Sequence, residues 1–104
     1  MSDTPLGQAE IDAADLADWR FSGDALHTRF RTGNFAAGLR LLNAIGEAAE
    51  QANHHPDLDL RYPHLDVTLS SHDAGGVTTR DVALARQISQ FAAEQGVSAE
   101  PSDD

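Results

Sequence analysis

The stretch HHPDLDLRYPHLDVTLSSH, residues 54–72, decides how this chain folds. Within it Leu58, Leu60 and Tyr62 alternate with Asp57, Asp59 and Arg61, and Leu65, Val67 and Leu69 alternate with Asp66, Thr68 and Ser70. Successive side chains leave a strand on opposite faces, so alternation of this kind marks a half-buried strand. Two such runs around Pro63-His64 predict an antiparallel hairpin. Pro63 disfavours a tight type I′ turn, so a slightly longer loop centred between Pro63 and His64 is expected. That centre sets Tyr62 against Leu65 and carries His55 opposite His72. His54, His55 and His72 then share one end of the sheet. His64 falls at the other end, roughly 23 Å away at about 3.3 Å per residue, and is left out of the candidate site.

Working outward, Asn34 reads as an N-cap, and Phe35, Leu39, Leu42, Ile45, Ala49 and Ala52 recur at steps of three and four. That spacing predicts an amphipathic helix with this stripe as its apolar face. It should end near Asn53, because Pro56 disfavours helix at the residue before it. Gly38 and Gly46 weaken the helix and mark close approach to the sheet. Ala25 to Thr32 alternates, with Leu26, Thr28 and Phe30 on one face and His27, Arg29 and Arg31 on the other. With Trp19 and Phe21 across the Ser22-Gly23-Asp24 turn, it predicts a first hairpin. Gln8 to Ala17 reads as a short helix. Thr78-Thr79-Arg80-Asp81 has the form of a capping box ahead of Leu84, Ala85, Ile88, Phe91 and Ala92, and Gly96 ends that helix. The order α-β-β-α-β-β-α predicts an α+β two-layer sandwich, a four-stranded antiparallel sheet with helices on one face. Residues 1–7 are expected to be disordered, 8–96 to form the domain, and 97–104 to be a flexible acidic tail.

Composition narrows the function classes. The formal charge is −10, which argues against binding nucleic acid or an anionic membrane through the whole surface. Every basic side chain is Arg, so no lysine Schiff base is available. Without Cys there is no disulfide, thiolate nucleophile or Cys-based zinc site. No apolar run approaches the ~20 residues a membrane span needs. The start, Met1-Ser2-Asp3-Thr4-Pro5, has no signal-peptide character, so a cytoplasmic protein is expected.

Three imidazoles at one sheet end, with ordinary pKa values near ~6.5, suit proton transfer at neutral pH. Asp81, in the first turn of the last helix, is placed to orient one of them, and Glu50 lies one turn before His54. A rival chemistry offers His54, His55, His72 and Asp73 to zinc. Adjacent side chains diverge and no His-Glu-x-x-His helix is present, so the metal reading is the weaker one. A second rival is a non-enzymatic interaction module that uses the open sheet face or edges for assembly.

Glu50, His54-His55-Pro56, Tyr62, His72 and Asp81, at these gaps, resemble the pattern of the pterin-4a-carbinolamine dehydratases (4a-hydroxytetrahydrobiopterin dehydratases). Trp19, Phe35 and Gly76-Val77-Thr78 extend the resemblance over roughly residues 10 to 92. Ser71 stands where the family commonly has Thr, and Asp18-Trp19 replaces Gly-Trp. The resemblance implies a hydro-lyase that dehydrates a 4a-hydroxytetrahydropterin to the quinonoid dihydropterin, in tetrahydrobiopterin recycling. It implies His54, His55, His72 and Asp81 as the catalytic set. Within that set His54 and His72 are acid and base, and His55 mainly binds and orients the pterin. Glu50, Pro56 and Tyr62 are implied on the substrate-binding side. No metal or organic cofactor is implied, and the protein is expected to form a homodimer or homotetramer.

Overall fold

A computed structural model describes residues 4–100. Its elements run α1 (Gln8–Ala13), β1 (Arg20–Ser22), β2 (Ala25–Arg31), α2 (Phe35–Ala52), β3 (Asp57–Arg61), β4 (His64–Leu69), α3 (Thr79–Glu94) and β5 (Ser98–Glu100). The sheet is antiparallel, in the order β1-β2-β4-β3. β1 and β5 follow one another along the outer edge of β2, which leaves β3 as the other edge.

Alternation sorts the faces as the sequence indicates. Leu26, Thr28 and Phe30 of β2 and Leu65, Val67 and Leu69 of β4 point into the helical layer and are buried. There they meet Leu41 and Ile45 of α2 and Leu84 and Ile88 of α3. Trp19 closes one end of this core. Its ring stands edge-on to Phe30, with centroids 6.3 Å apart, and its Nε1–H donates to Ser89 Oγ on α3. No helix among the described residues is long and apolar enough to cross a membrane.

The structure departs from the sequence reading in several places. First, α2 buries a different stripe. Ala37, Gly38, Leu41, Ile45, Ala48 and Ala49 face inward, while Phe35 is 47% and Leu39 42% exposed. The helix is apolar on more than one side, so its periodicity does not say which side meets the sheet. Contact at Gly38 does: a Cβ there would lie 2.6 Å from Leu60 Cδ1. A larger residue there would have to displace the Leu60 side chain, so glycine favours this close seating of α2 on β3.

Second, the β3–β4 turn is Tyr62-Pro63, joined by a cis peptide bond. The hairpin is therefore centred one residue earlier than expected. Arg61 pairs with His64 and Leu60 with Leu65, in place of Tyr62 with Leu65. Carried past the strand ends, this register sets His54 level with Ser71, not His55 level with His72. Third, the sheet gains a fifth strand. Ser98–Glu100 pairs with Arg29–Arg31 where a loose tail was expected, and Arg31 Nη1 donates to Glu100 Oε2 at 3.0 Å. At the other terminus Leu6 N–H donates to Val77 O at 2.7 Å, inside the stretch expected to be disordered. The remainder of both expected loose ends, 1–3 and 101–104, lies outside the described residues. α1 also stops at Ala13, short of Ala17, where Asp15 turns into positive φ.

Candidate active site

The end of α2 aims the first imidazole. Asn53 takes the left-handed conformation at φ 51°, which asparagine tolerates better than most residues. The chain reverses there, and His54 N–H donates back to Ala49 O at 3.1 Å. His54 is thereby turned inward, beneath the start of α3, and only 8% of it remains exposed. His55, the next residue, faces outward.

The start of α3 supplies its partner. Thr78 is the N-cap and Asp81 the third helical residue, and Asp81 Oδ2 accepts the Thr78 backbone N–H at 2.9 Å. A carboxylate in the first turn of a helix is favoured by the helix dipole. Asp81 is fully buried, and a buried charge is costly unless hydrogen bonds compensate it. It accepts three. Besides Thr78 N–H, Ser71 Oγ–H donates to Oδ2 at 2.7 Å, and His54 Nε2 meets Oδ1 at 2.5 Å. The Ser71 and Thr78 hydroxyls lie 2.9 Å apart.

Ser71 closes the circuit from the sheet side. It bridges Gly76 just beyond β4, where its N–H donates to Gly76 O at 2.8 Å. His72 is the next residue, on the exposed turn that Ser71 and Gly76 close, and its ring hydrogen-bonds nothing among the described residues. Asp73 follows, paired with Arg80 at 2.9 Å. The hydrogen bond from Arg80 holds the Asp73 carboxyl below the usual carboxylate range, and His54 adds a smaller electrostatic pull in the same direction.

His54, Asp81, Ser71 and the turn carrying His72 thus form one cluster. His55 borders it and bonds Glu50 Oε2 at 2.6 Å, in a pair open to solvent. Pro56 is half-buried and leads into β3. Tyr62 stands apart: it is 72% exposed, in the turn at the far end of β3, beside His64. It lies six residues along the strand from Pro56, roughly 20 Å at about 3.3 Å each, so within one chain it does not reach the cluster. His64 faces Asp66 at 3.7 Å, away from the site. Among the described residues no group of three or more His, Asp or Glu is placed to hold a metal ion.

The sequence reading passed over Ser71 as a member of the site. The signal was available: Leu65, Val67, Leu69 and Ser71 share the parity of the core-facing row. A hydroxyl there must find a buried partner.

Comparison with known proteins follows the same outline. The family model described as Pterin 4 alpha carbinolamine dehydratase matches residues 4–91. A protein of Nocardia farcinica is 47% identical over 78 residues, which span 75% of this chain and 82% of that protein. One of Thermomicrobium roseum is 39% identical over 91 residues, 81% of this chain and 98% of the relative. Both carry the name "Putative pterin-4-alpha-carbinolamine dehydratase". Among solved structures, a transcriptional coactivator/pterin dehydratase from Brucella melitensis superposes with a TM-score of 0.80 at 28% identity, covering 86% of this chain and 99% of that one. A pterin dehydratase-like protein identified as a RuBisCO assembly factor of the alpha-carboxysome shares the fold, with a TM-score of 0.62 at 24% identity over 72% of this chain and 89% of that one.

Proposed function

The chain belongs to the pterin 4 alpha carbinolamine dehydratase family, and from that premise we propose that it dehydrates a 4a-hydroxytetrahydropterin to the quinonoid dihydropterin. The observation that carries this reading is the buried His54–Asp81 pair beside the His72 turn. The reaction needs an acid and a base and no electron transfer. A protonated imidazole gives its proton to the C4a hydroxyl, the C–O bond breaks, and water leaves. Electrons from the ring nitrogen fill the vacancy at C4a. A second imidazole takes the proton that this nitrogen releases. The products are the quinonoid dihydropterin and water, and one proton has moved from nitrogen to oxygen.

His54 and His72 take the acid and base roles, with Asp81 orienting His54. His55, set by Glu50, holds the pterin, and Pro56 shapes the entry. Tyr62 reaches a pterin only if a second copy brings it to the site, which fits the proposed assembly as a homodimer or homotetramer. The test is a carbinolamine dehydration assay on purified wild type and on His72→Ala. A loss of ~10²-fold or more is expected, the usual worth of a general acid or base. Full activity in His72→Ala would remove that residue from the mechanism. A wild type without activity would favour the assembly reading, the role named for the RuBisCO-related structural neighbour. EDTA should leave turnover intact.

A further inference from the structure

We infer that the Ser71 and Thr78 hydroxyls, buried behind Asp81, are positioning groups that hold His54 as its Nε2–H tautomer and so reserve Nδ1 for the substrate. The direction of each proton follows from what each atom can still accept. Thr78 Oγ1 accepts the Arg80 backbone N–H at 3.2 Å, so the Thr78 hydroxyl proton is free to point at Ser71 Oγ, 2.9 Å away. The Ser71 proton then goes to Asp81 Oδ2, at 2.7 Å. Oδ2 also receives Thr78 N–H. With two donors on Oδ2, the carboxylate is pinned in rotation and presents Oδ1 to His54 as an acceptor. His54 Nε2 must therefore carry a hydrogen.

That leaves Nδ1. No interaction of this atom with another described residue is found. With no hydrogen bond to a described residue, the Nδ1 lone pair is uncommitted. A base needs a free lone pair on one nitrogen and a fixed hydrogen on the other, and the circuit supplies the fixed hydrogen on Nε2. Ser71 and Thr78 touch no substrate in this scheme; they act through Asp81.

The inference deepens the dehydratase reading and rests on it for its kinetic arm, while its spectroscopic arm does not. Proton-detected two-bond nitrogen correlation of ¹⁵N-labelled protein reads which ring nitrogen of His54 bears the hydrogen. Wild type should show hydrogen on Nε2. Ser71→Ala should show a mixture of tautomers, and Ser71→Thr should restore the single form. In the assay Ser71→Ala should lower kcat about tenfold, the size of one lost hydrogen bond to a charged group, with KM changed less than about twofold. Ser71→Thr should recover most of it. Where Ser71→Ala proves too unstable to assay, Thr78→Val, which removes the hydroxyl that donates to Ser71, carries the same test.

Hydrogen on Nδ1 in wild type, or an unchanged His54 signal in both hydroxyl-deleted variants, overturns the inference whatever the turnover. Unchanged kcat in Ser71→Ala, in an active enzyme, does the same. An Nε2–H signal that responds to Ser71→Ala in a protein with no turnover upholds the positioning circuit and overturns only the proposed reaction.

Discussion

Two adjacent histidines each hold a carboxylate at nearly the same distance, and the resemblance ends there. His54 meets Asp81 at 2.5 Å with 9% and 0% of the two side chains exposed. His55 meets Glu50 at 2.6 Å with 57% and 78% exposed. The short contact is common to both; the surroundings are not. Water screens the outer pair, and long exposed side chains give up rotamer freedom to form it, so pairs of that kind contribute little. The inner carboxylate has no water to fall back on, and losing a donor there leaves a buried charge poorly matched. Burial is therefore a better guide to consequence than hydrogen-bond length. A single αL residue, Asn53, sends one ring inward and the next outward.

The sharpest way to break this contrast is to remove each imidazole in turn. His54→Ala should lower kcat by ~10²-fold or more, whereas His55→Ala should act mainly on KM. A larger kcat loss for His55→Ala would reverse the assignment. Next comes Asp81→Asn. The amide cannot accept from His54, Ser71 and Thr78 at once, so a buried donor is left without a partner. We expect about 1–3 kcal/mol of lost stability by chemical denaturation, together with a marked fall in kcat. A variant as stable as wild type would show that the circuit is not closed as described. Glu50→Gln, its counterpart in the outer pair, should leave the melting temperature unchanged and the rate within about threefold, the range of an exposed contact.

The smallest effect belongs to the open sheet face. Arg29 donates to Asp66 at 2.7 Å and holds that carboxyl below its ordinary value of 3.8. A carboxylate with a depressed folded pKa stabilises the fold fully above its unfolded pKa. That contribution is lost as pH falls through the folded value. Arg29→Ala should therefore cost less than about 1 kcal/mol near neutrality, after allowance for solvent screening. The gap from wild type should close in urea titrations run at progressively lower pH, below about 4. A gap that widened on acidification would refute the pairing.

Much of this was legible in residue order. The alternation in β2 and β4 names the buried rows, the capping box places Asp81 in the first turn of α3, and Asn34 starts α2. Other features were not. Phe35 and Leu39 belong to a regular apolar stripe that the sheet does not cover, because a helix apolar on several sides carries no record of its own rotation. β5 is too short and polar to announce itself. It exists because β2 extends past β1 and leaves Arg29–Arg31 an open edge.

The candidate site divides the same way. Its residue types, and the sheet end they gather at, follow from local patterns, since capping, alternation and helix termination depend on neighbours a few positions apart. The identity of the strand residue facing His54 depended on where the chain reverses. A turn centred one position earlier sets Ser71, in place of Asp73, opposite His54, and brings a hydroxyl to the buried carboxylate. That choice is set by how α2, β3 and α3 pack at once, a balance of long-range contacts that no short window of sequence contains.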